Sequence, residues 1–495
     1  MRKNILLFIP TGLNSPEIEV LISLAQDLID KNNFVIILVC RGGKNYSCAR
    51  NIFSLKSICN LCHIKRDRFI KELSGNYQII ATPIIEKIYY RSKFTKFEKI
   101  KKYYFNKFDN GLATYASYLE NSRDKDLHGF FAQEIIEKNL NVTNMLSEFY
   151  LKILKDYKIN EVFAFNSRMN IYRPLLRCAV ILGLKYNNLE SVYLKGSLKI
   201  FNLRDSEVAD FKKLPKIINK HWNCRNSGNK EKIVKKYFVD IVKFMKPMEI
   251  PKSYLSQQKY GLLPDKFDKN KYNISFFVSS EDEDETFEKQ NPFPIFKNQK
   301  DCILQICKII SGRDDFFLWI RMHPNLSNVN WSYVRDILNI EGSFKNIAII
   351  KSDSPISTHA LMKSSNLVLG LGSRSLLESV YINKPTILLG EAFWSKLGPF
   401  NQINSIEELK SKILSKNIRI QNNIGAKKYA FFWTTYGKSI KYLTGKHIFN
   451  KNNTKASTFY RFKGKLIEFT FIEKIKYIFF KSLEKFLLYI NYKLS

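Results

Sequence analysis

Between Phe316 and Gly390 short apolar runs alternate with helical segments, and that alternation restricts this part of the chain to a parallel α/β sheet. Phe316–Ile320 reads as a buried strand. Arg321-Met322-His323-Pro324 follows, and since proline cannot extend a ladder the strand stops there, leaving His323 at its carboxyl end. A second strand is expected at Asn346–Lys351 and a third at Asn366–Gly370. The third runs into Leu371-Gly372-Ser373-Arg374-Ser375 and then a helix, Leu376 to Ile382. Lys384-Pro385 breaks the chain before a fourth strand, Thr386–Gly390. In such sheets ligands sit beyond the carboxyl ends of the strands, where His323 and the Ser373-Arg374-Ser375 turn both fall.

That turn combines a glycine for close backbone approach, two hydroxyls, a guanidinium and a helix amino-terminus, which together suit a phosphate or diphosphate. Ser375-Leu376-Leu377-Glu378 is equally a capping box, so Glu378 has two readings. Upstream, Asn273–Val278 is expected as the first strand of the same sheet, ending in Ser279-Ser280-Glu281-Asp282-Glu283-Asp284-Glu285. The acidic run reads as a solvated loop in preference to an Asp-x-Asp metal motif, with Glu283 as a candidate base.

The chain opens with a similar unit. Residues 4–9 form a strand and Thr11–Asn14 a turn; Ser15-Pro16-Glu17 starts a helix, and Phe34–Val39 is the next strand. The Gly-x-Gly-x-x-Gly fingerprint is missing. Glu17 is a candidate base, or only a charge that complements a helix terminus. Glu161–Phe165 is a further strand ending in Asn166-Ser167-Arg168; Arg173-Pro174 opens a helix, and Glu190 precedes a strand at Ser191–Leu194. Cys40, Cys48, Cys59 and Cys62, with His63 adjacent, fall within a short stretch ending in Cys-x-x-Cys. They fit a structural zinc, less well an iron–sulfur cluster, or four unlinked reduced thiols. Cys302 and Cys307 read as small core residues.

Arg321-x-His323-Pro324, the Ser-rich turn, Glu378 and Lys384-Pro385-Thr386-Ile387 together resemble the carboxyl-terminal domain of bacterial glycosyltransferases that build capsules and other surface polysaccharides. Asn166-Ser167-Arg168, the Arg173-Pro174 helix, Gly183 and Glu190 are similar to the same enzymes, which carry Asn-Gly-Arg at that turn. The resemblance implies the GT-B architecture, two Rossmann-like domains facing a cleft: an acceptor domain over residues 1–255 and a donor domain over 256–445. It implies a nucleotide-sugar donor held by Ser279, Ser280, Arg321, His323, Ser373, Arg374, Ser375 and Glu378. It also implies His323 at the leaving phosphate and a base among Glu17, Glu190 and Glu283. No cofactor is expected for the chemistry, and zinc at Cys40, Cys48, Cys59 and Cys62 would be structural. The acceptor would be a growing glycan or a lipid-linked molecule. CMP-sugar transferases and polyol-phosphate transferases look similar, so a polyol-phosphate transferase is the second reading. A non-catalytic membrane-surface or nucleic-acid-binding protein is the third.

The 495 residues carry a formal charge of +35 with 45% hydrophobic content, enough for two or three cores and an attraction to acidic partners. The basic, aromatic stretch Tyr89–Lys107 reads as a mobile arm for an anionic or lipid-linked acceptor, or as a solvated helix face. No nucleic-acid partner is expected, because no RNA-module motif accompanies that stretch. The region 446–495 reads as a basic amphipathic tail: Ile472, Ile475, Phe479, Leu483, Phe486 and Ile490 recur at helical spacing among lysines. Such a helix fits an anionic membrane surface, or packs on the protein itself. No apolar run approaches a membrane span and no signal peptide stands out, so the expectation is a cytoplasmic protein, peripheral at the inner face of the cell membrane.

Overall fold

The computed structural model describes residues 2–90, 94, 96–194, 197–205, 210–224, 228–242, 258–286, 293–449 and 456–495. Its first sheet holds β1 (Asn4–Ile9), β2 (Phe34–Val39), β3 (Tyr77–Ala81), β4 (Glu161–Phe165), β5 (Lys185–Leu194) and β6 (Ser197–Arg204). The second holds β7 (Tyr272–Phe277), β8 (Phe316–Arg321), β9 (Ile347–Ile350), β10 (Leu367–Gly370), β11 (Thr386–Leu388) and β12 (Asn401–Gln402). Later come β13 (Lys438–Ser439), β14 (Leu443–Phe449), β15 (Ala456–Phe462) and β16 (Lys465–Leu466).

The first sheet runs β13-β6-β5-β4-β1-β2-β3, and the second runs β12-β11-β10-β7-β8-β9. From β3 to β5 the first sheet is parallel, whereas β6 and β13 are antiparallel to their neighbours. All six strands of the second sheet are parallel. Each sheet therefore winds outward in both directions from its first strand, the doubly wound Rossmann order. These two Rossmann-like sheets are the GT-B arrangement implied by the sequence resemblance. Strands such as Val35-Ile36-Ile37-Leu38-Val39 are buried, as expected for parallel strands covered on both faces.

Four apolar clusters form among the described residues, and three of them follow from this layout. One lies around β1, β2 and β4, and a second around β7, β8 and β10. The third joins the two halves: Phe201 and Leu203 of β6 pack in one cluster with Trp319, Val368 and Phe431. Phe431 belongs to the helix Ile424–Thr435, after which β13 pairs with β6. This helix thus carries the chain back onto the first sheet.

Some local expectations change. Ser15 does not cap the first helix; its hydroxyl donates to Glu19 at 2.7 Å, and the helix spans Glu17–Asp30. The stretch Tyr89–Lys107 is not a free arm. Phe94 is buried with Ile100 and Tyr115, and Tyr90 packs edge-on against Phe105 at 5.0 Å. Arg91 and Lys93 of that stretch lie outside the described residues. The tail is not separable from the body either. Tyr460 and Phe462 of β15 are buried in the first core.

The tail ends in the helix Phe471–Lys493, capped by Thr470 and Glu473 in a reciprocal capping box. This helix packs through its polar side. Arg68 donates to both oxygens of Glu473, at 2.7 and 2.8 Å. The buried Glu484 accepts from Ile52 N at 2.9 Å and pairs with Lys481, whose ammonium also reaches the Arg50 carbonyl at 3.2 Å. Asn491 accepts from Phe131 N at 2.6 Å. On the second half, Trp331 packs on Tyr492 at 5.0 Å, and Arg335 donates to the Tyr492 hydroxyl at 3.0 Å. Glu484→Ala strands a buried N–H and an ammonium, so a loss of about 1–3 kcal/mol is expected. Thermal melts should show a lower midpoint for this variant and a smaller drop for Glu484→Gln, which keeps an acceptor for Ile52.

Candidate functional site

At the first sheet's reversal point, between β1 and β4, the loops diverge and leave a cavity of about 250 Å³ at the carboxyl ends of the strands. Thr11 and Asn14 line it from the β1 loop, Cys40 from the end of β2, and Phe165 and Asn166 from the end of β4. Glu17, Arg50, Tyr172 and Glu190 complete much of the wall. The β1 loop lies hard against the helix Lys56–Ile70. A Cβ on Gly12 would stand 2.4 Å from the Cys62 carbonyl, so that glycine serves packing.

Two of the three candidate bases meet in this cavity. β5 pairs with β4 only as far as Leu189 opposite Phe165, so Glu190 is the first β5 residue past the parallel ladder. Its side chain is therefore at the carboxyl edge, not at a strand start as the sequence suggested. Burial pushes the Glu190 carboxyl up to about 7, against the pull of Arg168 and with the push of Glu17. Its Oε1 is buried with no hydrogen-bond partner among the described residues. Glu17 is also raised by burial, but both its oxygens are engaged. The Tyr172 hydroxyl donates to Oε1 at 2.5 Å, and Asn14 Nδ2 donates to Oε2.

The Asn166-Ser167-Arg168 turn works without a glycine. Asn166 itself takes the left-handed conformation, φ 35°, and its Oδ1 accepts from Arg168 N at 3.4 Å and from Arg168 Nε at 3.1 Å. Asparagine tolerates this geometry because its side chain bonds the backbone two residues on. Ser167 is buried, and its hydroxyl accepts from Asn188 Nδ2 at 3.0 Å.

Cys40, Cys48, Cys59 and Cys62 all line the same cavity. Among the described residues, however, no three His, Cys, Asp or Glu side chains converge to hold a metal ion. Three of the sulfurs instead accept from separate backbone or amide donors, and Cys62 Sγ also lies 3.4 Å from the Thr11 hydroxyl. Cys62 Sγ accepts from Gly12 N, Cys40 Sγ from Gly42 N and Cys59 Sγ from Asn51 Nδ2, each at 3.2 Å. Burial pushes the Cys40 thiol up to about 11 and the Cys59 thiol to about 12. The arrangement of these four residues among the described residues therefore lends no support to the expected zinc or iron–sulfur centre.

The second sheet has its own reversal point, between β7 and β10. Ser279 and Ser280 follow β7, Leu371–Ser375 follow β10, and His323 lies two residues past the end of β8. Gln299 clamps Ser279, accepting from its N–H at 2.8 Å and donating to its carbonyl at 3.2 Å. The Ser279 hydroxyl is buried and has no hydrogen-bond partner among the described residues. His323 Nδ1 accepts from Asn325 N at 3.1 Å and lies 3.4 Å from the Ser280 hydroxyl, which places the neutral ring's proton on Nε2.

The remaining candidates are placed as follows. Glu378 does not complete a capping box. The helix Ser375–Tyr381 has Arg374 at its N-cap with no side-chain cap bond, and Glu378 accepts from His359 Nε2 at 2.8 Å. Ser373 Oγ accepts from Ser375 N at 3.4 Å, and Arg374 is exposed. Arg321 is buried and donates to the carbonyls of Lys351 at 2.6 Å and Ser354 at 3.3 Å. It is thereby tied to the turn after β9, and burial lowers it to about 10. Glu283 stands apart from Glu17 and Glu190, beside His323, where it accepts from Asn325 Nδ2 at 2.9 Å.

The acidic run is not a solvated loop. It forms the short helix Glu281–Asp284 and meets basic groups of the first half. Asp282 binds Arg123 through two guanidinium nitrogens, Glu281 accepts from Lys125 at 3.1 Å, and Glu285 pairs with Lys101. Arg168 donates to Thr286 Oγ1 at 2.9 Å, and Trp331 Nε1 to the Ser122 carbonyl at 2.7 Å. This seam connects the two candidate regions. Arg168 acts electrostatically on Glu190, and Thr286 donates to the Glu283 carbonyl at 2.7 Å. The partners Arg123 and Lys125 escaped sequence reasoning; the one available signal was an unmatched acidic run in a chain of strong positive charge.

No protein-family profile matches the chain, and no curated protein matches it by sequence. Among solved structures, the Thermosulfurimonas dismutans KpsC β-Kdo 2,4-transferase aligns at 11% identity and TM-score 0.34, over 61% of this chain and 84% of that one. The KpsC β-Kdo 2,7-transferase of the same organism aligns at 14% identity and TM-score 0.33, over 57% and 79%. A Neisseria meningitidis UDP-GlcNAc 2-epimerase, bound to UDP-GlcNAc, aligns at 13% identity and TM-score 0.30, over 87% and 97%. Superpositions this loose carry no residue role across.

Within the seam, burial and the carboxylates of Glu283, Glu281 and Asp282 raise Asp284 to about 8. A group raised on folding holds its proton longer in the folded state. Its stabilising contribution is complete below the ordinary Asp value of about 4 and is lost as pH rises through about 8. Asp284→Asn should therefore melt above the wild type at about pH 9, and by a smaller margin at about pH 6. Parallel melting curves at both values would overturn this assignment.

Proposed function

We propose that the chain is a glycosyltransferase that moves a sugar from a nucleotide-sugar to a hydroxyl of a surface-glycan or lipid-linked acceptor. The observation that carries the reading is Glu190. It presents to a cavity at the first sheet's reversal point a buried carboxyl oxygen with no hydrogen-bond partner among the described residues, and burial pushes this carboxyl up to about 7. A carboxyl poised there is substantially ionised at neutral pH and still a competent proton acceptor. Burial keeps the Glu190 value high, and Glu17, with both oxygens held by Tyr172 and Asn14, adds a smaller push.

The donor lies at the second sheet's reversal point. There Ser279, Ser280, Ser373 and Arg374 offer hydroxyls and a guanidinium to its phosphates, and His323 offers an N–H from Nε2. The acceptor oxygen attacks the anomeric carbon while Glu190 takes its proton. The bond from that carbon to the phosphate oxygen breaks, and the electron pair leaves with the nucleotide. His323 and Arg374 stabilise the charge that develops on the leaving phosphate. No cofactor enters this scheme. The reading places the protein in the cytoplasm, where it meets its acceptor at the inner face of the membrane.

Thermal-shift screening against nucleotide-sugars identifies the donor, because a ligand that binds the folded state raises the midpoint by mass action. With that donor, Glu190→Gln should lower turnover by about 10²–10⁴ while leaving the donor shift intact. Wild-type kcat/KM should rise with pH up to about 7 and then level, and this limb should vanish in the variant. His323→Ala should cost about 10²–10³ in kcat. Near wild-type turnover in both variants would refute the assignment.

A further inference from the structure

The terminal helix Phe471–Lys493 is amphipathic in the reverse of the usual sense. Its polar residues Glu473, Glu484 and Asn491 face the protein and are bonded there. Its large apolar residues face outward: Phe471 is 78% exposed, Ile472 64%, Ile475 51%, Phe479 63% and Phe486 57%. At 100° per residue these positions fall on one arc opposite the buried side. Lys474 and Lys485 flank that arc on one side and Lys476 on the other, all exposed. Phe130 continues the patch beside the helix end: it is 60% exposed, and its N–H donates to the Asn491 carbonyl at 2.9 Å. The helix extends the patch over roughly 34 Å. Exposed apolar patches of this kind mark interaction surfaces.

Charge decides what covers it. A second copy of this chain would bring another formal +35 against lysine-flanked faces, and the two would repel. An anionic lipid surface reverses the sign. The apolar side chains enter the acyl boundary while the lysines reach the headgroups. We propose that the outward face of this helix docks the protein on anionic phospholipid, and that the same helix sets the rim of the first-sheet cavity at that surface. The second part follows from the polar side: Lys481 holds the Arg50 carbonyl and Glu484 holds Ile52 N, so the helix fixes the 48–52 loop. Cys48, Arg50 and Asn51 of that loop line the cavity. Only the naming of this cavity as the acceptor site rests on the reading above; the docking itself does not.

The test uses the full chain and the double variant Ile475→Glu/Phe479→Glu, whose side chains project to solvent so that the fold is kept; equal melting midpoints check this. Both are co-sedimented with vesicles of phosphatidylcholine alone and of phosphatidylcholine mixed with phosphatidylglycerol. The wild type should bind the mixed vesicles, less at high salt, and the variant should lose about two orders of magnitude in partitioning. Equal sedimentation of variant and wild type overturns the proposal. So does a wild type that ignores vesicles but dimerises in velocity sedimentation while the variant stays monomeric. Transfer to a soluble hydroxyl acceptor, measured in parallel, should be unchanged by the variant. Its absence from both proteins, with vesicle binding intact, counts against the transferase reading and leaves the docking standing.

Discussion

The two halves of this molecule depend on a line of charge across the gap between them. Arg123, Lys125, Lys101 and Arg168 of the first half meet Asp282, Glu281, Glu285 and Thr286 of the second. The Asp282 and Glu281 carboxylates are buried, so each needs its cation. A seam built this way connects the region of Glu190, through Arg168 and Thr286, to the loop that carries Glu283. Opposite it, the apolar cluster of Phe201, Trp319 and Phe431 joins the halves by area rather than charge. A polar seam and an apolar joint respond differently to salt and pH, so the gap between the sheets can be biased without loosening either core.

The chemistry proposed here rests on an asymmetry between two carboxyls of the same type. Glu17 and Glu190 share one cavity, but Tyr172 and Asn14 engage only Glu17. Donors of this kind favour the charged form, and a charge at Glu17 makes ionisation of Glu190 harder. Hydrogen bonding thus separates the roles of two residues that burial alone would treat alike.

Much of the second sheet was legible in the sequence, because buried parallel strands are nearly continuous apolar runs punctuated by proline and glycine. Phe316–Ile320 was placed to within a residue of β8, and Asn366–Gly370 to within a residue of β10. Short or polar strands were not legible. β3 is half exposed, β12 and β13 have two residues each, and the β14–β16 hairpin was hidden inside a segment read only as a helical tail. The edge position of His323 could be read from Pro324. That Arg321 turns to the Lys351 and Ser354 carbonyls could not, since alternation along a strand gives the face and not the partner. The cysteine spacing suggested one centre, yet the residues are divided among a strand end, a loop and a helix, and three of the sulfurs accept from separate backbone or amide donors. Glu190 was undervalued for a related reason: its meaning depends on where β5 leaves β4, which is set by register.

The return of the chain has a consequence for synthesis. The first sheet gains its outer strand only at Lys438–Ser439, and its core gains Tyr460 and Phe462 later still. During translation the amino-terminal half is therefore made long before the pieces that finish it, and the whole second sheet is made in between. Its β6 edge stays open until then, a site at which nascent chains can pair wrongly. The two halves are consecutive in space but interleaved in time, and the first to begin is the last to close.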